Sequence, residues 1–282
     1  LAYLSTSPSG IDATMINTTS GKRTYIHPIS NQDKRYVAYT DLEHSDDHEH
    51  LTCFTEIDEH TNKLLDDGIP KGLTKSREGF SGAANMSMLT RFSDESGLST
   101  YRFAVATNGQ YTNYHGGSVE SGLAAVNTLL TGLNFITETD IGVHLELVAN
   151  NDLVIYTDSN TDPFDDSLAN ANAVLQQTLD STIGSGNYDV GHLFSGVGGG
   201  GNAGAIGSVC NDATKGSAWS AAGQPRGSDF KNLVAHELGH QLGANHTFSD
   251  QTEGTGVNVE PATGSTIMSY GATGRDDFVF FR

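Results

Sequence analysis

Hydrophobic and polar positions alternate in short runs from residue 1 to about residue 60. The clearest runs, at residues 24–29 and 35–39, are rich in β-branched and aromatic side chains and are separated by turn-forming residues at 30–33. Runs of this kind predict β-strands. Residues 62–98 have no hydrophobic period and contain scattered Gly, Ser and charged residues. This composition predicts an exposed linker that is accessible to proteases.

After residue 100 the pattern alternates between strand-like and helix-like segments. Four short apolar runs bounded by turn formers predict strands, at residues 101–106, 143–148, 153–156 and 188–194. Ser118 is a suitable N-cap for a first amphipathic helix. A second amphipathic helix is predicted at 167–183. The first helix carries its apolar residues on one stripe, namely Val119, Leu123, Val126, Leu130 and Leu133. Strands and helices in this order predict an α/β (α+β) fold.

Length and charge narrow the classes of protein to consider. The 282 residues suit one to two domains with a proper core, and no apolar run is long enough to predict a membrane span. Acidic residues outnumber basic ones 34 to 15, and the net charge of −19 argues against nucleic acid or an anionic membrane as a partner. Few lysines and many Asp, Asn, Ser, Thr and Gly residues suit a secreted protein. Because the chain opens at Leu1 without a methionine or a signal-like apolar stretch, we expect a piece of a longer precursor without its signal peptide.

The strongest chemical signal is the stretch from His236 to His246, which reads H-E-L-G-H-Q-L-G-A-N-H. On a helix, His236 and His240 share one face, and Gly243 can end the helix so that His246 turns towards them. Three neutral imidazoles about 2.0–2.1 Å from Zn²⁺, with a fourth position left for water, make a catalytic zinc site. Two surface histidines on an ordinary helix are the alternative. The five fixed residues of this motif, which are His236, Glu237, His240, Gly243 and His246, would coincide by chance in roughly one chain in ten thousand of this composition.

These residues resemble the zinc signature of the metzincin metalloproteases, in which Glu237 is the general base. Residues 265–270, which include Met268, resemble the methionine turn beneath the metal in that clan. The runs at 101–106 and 188–194 resemble strands of the reprolysins (adamalysins), so the likeness covers roughly residues 100 to 275.

Two features depart from the reprolysin pattern. Thr247 follows the third histidine, where eukaryotic members usually carry Asp. The pair Met268 and Tyr270 also fits astacins and serralysins. We therefore expect a bacterial-type member of the clan, and the subfamily is less clear than the clan itself.

The resemblance implies a metzincin catalytic domain at residues 95–282, with a twisted mixed sheet, two long helices and an active-site helix. Residues 1–90 would be the end of a β-rich inhibitory propeptide, with a boundary within 62–98, and the domain would be truncated at its C-terminus. The implied function is that of a secreted zinc endopeptidase that cleaves protein or peptide substrates. The alternatives are an astacin- or serralysin-type protease and a non-catalytic, zinc-stabilised binding module. The presence of Glu237 argues against the binding module.

Several residues have two interpretations. Tyr270 could donate a hydrogen bond to the oxyanion or ligate zinc, as the resemblance implies, or simply be packed. Residues 158–162 begin like a calcium loop, but Pro163 and Ala169 replace the required Gly and Glu. A looser Ca²⁺ site is the weaker interpretation there, and an Asx-rich turn is the stronger one. We expect three further histidines to be structural rather than ligands: His115, His144 and His192.

The glycine run at 198–201 lacks the residues of a phosphate-binding loop and predicts a mobile bend beside the cleft. Its backbone could pair with an extended substrate. Cys53 and Cys210 are the two cysteines, and they could pair with each other, pair with cysteines beyond the chain ends, or stay free. The family resemblance adds a further hypothesis. Cys53 could block the zinc as a propeptide thiolate, although its neighbours do not match the usual switch sequence.

Overall fold

The computed structural model describes residues 2–7, 10–17, 19, 23–30, 33–40, 53–55, 98–249 and 257–269. Tyr270 and nearly all of the expected linker at 62–98 lie outside these residues. Within the described part of the chain, no helix is long and apolar enough to cross a membrane.

The N-terminal part forms an antiparallel sheet of four strands in the order β1-β2-β3-β4. The strands are β1 (Ala2–Ser7), β2 (Gly10–Ile16), β3 (Arg23–Ser30) and β4 (Asp33–Thr40). The strands predicted at 24–29 and 35–39 are β3 and β4. This sheet contacts the rest of the chain, because Ser5 Oγ lies 3.4 Å from Thr128 Oγ1 and Lys231 Nζ lies 4.7 Å from the centre of the Tyr25 ring.

A second, mixed sheet has the strand order β6-β5-β7-β9-β8, in which only the edge strand β8 is antiparallel to its neighbour. Its strands are β5 (Ser99–Thr107), β6 (Val143–Leu147), β7 (Val190–Ser195), β8 (Gly199–Asn202) and β9 (Ala218–Ala222). Every residue of β7 and β9 is buried. Such continuous burial is typical of strands that are covered on both faces.

Helices cover both faces of this sheet. They are α1 (Gly109–Tyr114), α2 (Val119–Ile141), α3 (Ala171–Leu179) and α4 (Gly227–Gln241). Phe103 and Val105 of β5 point into the core formed with α2 and α4, whereas Ala104 and Ala106 point into the core formed with α3. The alternation follows from the two-residue period of a strand. The predicted mixed α/β fold is confirmed.

The predicted first helix matches α2 closely because its start is encoded locally. The Ser118 hydroxyl accepts from the Ser121 N–H at 3.2 Å, and the Ser121 hydroxyl accepts from the Ser118 N–H at 3.1 Å. This reciprocal capping satisfies two backbone donors at the helix start. Gly142, with φ of 67°, ends the helix in the left-handed conformation that favours glycine.

The predicted second helix starts later than expected. Residues 167–170 are not helical, since Leu168 has φ of 56°, and α3 begins at Ala171. After Leu179 the chain continues as a π-helical turn, Asp180–Gly184. The prediction for 167–183 was therefore correct in type but wrong at its N-terminal end.

The strand predicted at 153–156 was wrong. Residues Asn151–Val154 form a 3-10 helix, and only Ile155 makes a bridge, to Thr107. The Asn151 side chain takes the place of a strand partner for Val105. Its amide donates to the Val105 carbonyl at 2.9 Å, and its carbonyl accepts from the Val105 N–H at 2.8 Å.

The pairing of Asn151 with Val105 gives a test of the fold. Asn151 is 1 % exposed, so Asn151→Ala should leave two buried backbone groups unpaired and lower the free energy of unfolding by about 2–4 kcal/mol. Asn134 makes the same pair of bonds to Leu145 of the edge strand β6, in a less buried place. Asn134→Ala should therefore cost only about 1 kcal/mol, because water can replace the side chain there. Urea unfolding of both variants measures the difference, and equal losses would contradict this explanation.

Candidate metal centre

Helix α4 carries His236, Glu237 and His240 on its buried side. The helix ends at Gln241, and Gly243, whose φ of 102° favours glycine, lets the chain turn back towards the helix. The backbone N–H of Gly243 donates to the His240 carbonyl at 2.9 Å, and that of Ala244 donates to the Gly239 carbonyl at 2.9 Å. This turn brings the His246 ring beside the other two imidazoles.

The three Nε2 atoms form a nearly equilateral triangle. The distances are 3.2 Å between His236 and His240, 3.1 Å between His236 and His246, and 3.1 Å between His240 and His246. Nitrogen ligands about 2.0–2.1 Å from a tetrahedral zinc lie about 3.3–3.4 Å apart. The triangle therefore has nearly the size that a zinc ion requires.

The hydrogen bonds of the other ring nitrogens show why a cation belongs inside the triangle. His236 Nδ1 donates to the Ile267 carbonyl at 2.6 Å, and His240 Nδ1 donates to the Ala244 carbonyl at 2.8 Å. Since each neutral ring carries one proton, the two Nε2 atoms face each other with lone pairs. Burial lowers the pKa of His236 to about 4 and that of His240 to about 2, which keeps these rings neutral.

Cys53 adds a fourth donor atom to this group. Its Sγ lies 3.6 Å from His240 Nε2, and the sulfur and the three imidazoles have donor atoms within 4.8 Å of one another. A thiolate and an imidazole on one tetrahedral zinc are also about 3.6 Å apart. Cys53 and Cys210 are both free, so the pairing of these two cysteines is not observed.

The glycine run at 198–201 is the edge strand β8, so the predicted mobile bend was wrong. The strand passes directly over Glu237. A Cβ at Gly201 would lie 2.5 Å from Glu237 Cγ, and only glycine allows this approach. Glu237 is fully buried, and burial raises its pKa to about 7. Its Oε1 atom has no hydrogen-bond partner among the described residues.

Residues 53–55 run along the free edge of β8, with Cys53 and Gly201 in a parallel bridge. The Phe54 N–H donates to the Gly201 carbonyl at 2.6 Å. The Thr55 hydroxyl donates to Glu237 Oε2 at 2.8 Å and accepts from the Ala203 N–H at 2.6 Å. Sequence reasoning missed Thr55. Its position two residues after Cys53 was the available signal, because both side chains then point to the same side of a strand.

Glu260 was also missed, and it joins the segment after His246 to the methionine turn. Its Oε1 accepts from the Thr247 hydroxyl at 2.5 Å and also from the Thr266 hydroxyl. Its Oε2 accepts from the backbone N–H groups of Ser265 at 2.7 Å and Thr266 at 3.1 Å. Partial burial raises the pKa of Glu260, but these hydrogen bonds outweigh burial and bring it to about 2. Glu260 is therefore ionised at neutral pH.

Met268 lies under α4, where a Cβ at Gly239 would be 2.3 Å from its Sδ. The methionine turn thus supports α4 from below and supplies the Ile267 carbonyl to His236. Tyr270 follows this turn but lies outside the described residues.

The three histidines that were expected to be structural interact with other parts of the molecule. His192 lies between Gln241 and Ser220, His144 contacts Glu138, and His115 contacts the Pro225 carbonyl. Among the described residues, the only group of three or more candidate metal ligands is Cys53 with the three histidines of the triangle.

The expected Asx turn accounts for the acidic loop at 158–162. Asp158 Oδ1 accepts from the Asn160 N–H at 2.9 Å, while the Asp162 carboxylate accepts from the N–H groups of Gly109 and Phe164. These contacts are internal to the loop and its neighbours. Calcium therefore has no support there.

The family described as metallo-peptidase family M12B, reprolysin-like, matches residues 98–279, which is more than half of the chain. The match includes the triangle, Glu237, β8 and the methionine turn. No curated protein matches the chain.

The Glu260 contacts predict an effect on metal binding. Glu260→Gln should loosen the methionine turn and lower the affinity for Zn²⁺ by about tenfold, since groups that orient a ligand's support usually have effects of this size. Competition with a chromogenic chelator measures the affinity. Glu138→Gln is the matched control, because Glu138 also accepts a hydrogen bond from a side chain but lies away from the triangle. Equal zinc affinities in the two variants would show that the turn does not depend on Glu260.

Proposed function

The chain belongs to the reprolysin-like M12B metallopeptidase family, and on that premise we propose that it is a zinc endopeptidase acting on protein or peptide substrates. His236, His240 and His246 hold the metal in this proposal, and Glu237 is the general base. The observation that carries the proposal is the triangle of Nε2 atoms with edges of 3.1–3.2 Å beside a buried carboxylate.

Zinc at this centre would polarise a water molecule and lower its pKa towards neutrality. In this role Glu237 would accept the water's proton and pass it to the nitrogen of the leaving amine. A base is most effective when its pKa lies near the working pH, and burial raises the pKa of Glu237 to about 7 while the segment 53–55 covers it. The unpartnered Oε1 is free to accept that proton, whereas Oε2 is held by Thr55.

Tyr270 completes the proposed catalytic set. Its hydroxyl would donate a hydrogen bond to the oxyanion that forms at the scissile carbonyl. It follows Ser269, which is buried and donates to the Thr266 carbonyl at 2.6 Å. In an astacin- or serralysin-type enzyme the same residue would ligate the metal instead. Comparing the zinc coordination of Tyr270→Phe with that of the parent therefore separates this type from the reprolysin type.

We further propose that the enzyme is secreted as a latent precursor in which residues 1–90 are the inhibitory propeptide and residues 95–282 the catalytic domain. Support comes from the segment 53–55, which occupies the edge of β8. Cys53 would be the fourth metal ligand, and Thr55 would engage the base Glu237. Burial raises the pKa of the Cys53 thiol, but a metal ion within reach would favour the thiolate.

Glu237→Gln tests the assignment of the base. The variant should keep its zinc, because Gln has the same shape and Glu237 is not a ligand, but turnover of casein should fall by about 10²–10⁴-fold. Zinc content and digestion rate are measured together on activated protein. His240→Ala is the metal-free reference, and His144→Ala is the control that should retain both zinc and activity.

Two outcomes would contradict the proposal. Parent turnover in Glu237→Gln would remove Glu237 from the role of base. A parent protein that binds one zinc per chain and cleaves nothing after activation would instead favour a zinc-stabilised binding module.

Latency is tested by comparing the two cysteines in the full chain. Cys53→Ala should digest casein before any proteolytic cut, at least about tenfold faster than the uncut parent, because the fourth ligand position becomes accessible to water. Cys210→Ala should stay as latent as the parent, since Cys210 is exposed and outside the metal group. Equal latency in both variants would assign inhibition to steric cover by the segment alone.

A further inference from the structure

The segment 53–55 shows how an extended chain is held at the edge of β8. Cys53 and Thr55 face the metal centre, and Phe54 between them faces the opposite side of the sheet. There the Phe54 ring lies against the indole of Trp219, with 6.0 Å between ring centres and 31° between planes. Rings at this distance attract each other beyond simple burial of apolar area.

Phe54 is recognised at three points. Its N–H donates to the Gly201 carbonyl at 2.6 Å, its carbonyl accepts from Asn202 Nδ2 at 2.8 Å, and its ring contacts Trp219. The main-chain contacts can hold any residue, whereas the ring contact selects an aromatic one. When a peptide adds to a sheet edge, main-chain hydrogen bonds usually supply affinity and side-chain pockets supply specificity.

Hydrogen bonds hold the recognising side chains in place. Trp219 Nε1 donates to Asn172 Oδ1 at 3.3 Å, and Asn172 Nδ2 donates to Asn202 Oδ1 at 3.1 Å and to the Ser217 carbonyl at 2.5 Å. Trp219 and Asn202 are also partners in the register of β9 and β8. The orientation of Asn202 leaves its Nδ2 available for the peptide carbonyl. The indole and the amide are therefore built into the sheet and do not depend on the segment.

We propose that Trp219 and Asn202 form a substrate subsite that selects an aromatic residue of an extended peptide bound at the edge of β8. Phe54 occupies this subsite in the latent chain and leaves it with the segment. The proposal rests on the proposed endopeptidase function, because it assigns to that site a preference among substrates. Phe54 is 51 % exposed while Trp219 is 7 % exposed, so the subsite is open on its outer side and can take larger aromatic rings.

Binding at the subsite can be measured without any catalysis, because Trp219 is the only tryptophan in the chain. In the zinc-loaded full chain, Phe54→Ala should shift the tryptophan emission to longer wavelength, since the indole loses its cover, and Phe54→Tyr should not. N-acetylphenylalanine amide should reverse the shift in Phe54→Ala, whereas N-acetylalanine amide should not. An emission spectrum unchanged by Phe54→Ala and by both amides would overturn the proposal.

Selectivity is measured by mapping the bonds that the activated enzyme cleaves in a mixture of denatured proteins. Aromatic residues should be enriched at one fixed position relative to the cleaved bond, and the enrichment should fall by about tenfold in Trp219→Ala. Trp219→Phe should retain it. Cleavage by the parent without such a preference would refute the subsite and leave the endopeptidase proposal intact. If the parent cleaves nothing, the endopeptidase proposal fails, and the fluorescence result decides the subsite alone.

Discussion

The constraint on which this structure depends is the close approach of three imidazole Nε2 atoms, which form a triangle with sides of 3.1–3.2 Å. The rings of His236 and His240 are neutral and face each other with lone pairs, an arrangement that is repulsive unless a cation lies between them. The surrounding backbone nevertheless fixes them in place, through the Ile267 carbonyl for His236 and the Ala244 carbonyl for His240. The methionine turn and the turn at Gly243 therefore orient the rings of His236 and His240, which are proposed metal ligands.

Two glycines allow close packing above and below α4, around the candidate metal centre. Above the helix, Gly201 lets β8 pass against Glu237, and below it Gly239 lets Met268 approach. Burial then does two things at once, because it keeps His236 and His240 neutral and raises the pKa of Glu237 to about 7. One edge of the sheet thereby supplies both the environment of Glu237, the proposed base, and a pairing surface for an extended chain. Inhibition and substrate recognition, as proposed, use that same edge and exclude each other.

Local features explain what sequence reasoning predicted well. The clustering of the three imidazoles follows from helix geometry, since residues four apart share a face and the glycine seven residues after His236 lets the chain turn back. Helix α2 was predicted because Ser118, Gly142 and the apolar stripe between them are all encoded within the segment. The strand at 153–156 failed because the Asn151 side chain, and no strand, pairs with Val105. Strand β8 was missed because a run of glycines has no hydrophobic period. The strand forms through its pairing with β9.

The sequence by itself determined the groups of the candidate site, namely three imidazoles, one carboxylate and the helix that aligns them, because these lie within eleven consecutive residues. Only the tertiary structure decided what surrounds that chemistry. Thr55 meets Glu237 across 182 positions of sequence, and Cys53 meets His240 across 187. Glu260 reaches Thr247 only because the chain folds back on itself. No local periodicity encodes such contacts, since they depend on how strands pair and helices pack over the whole domain.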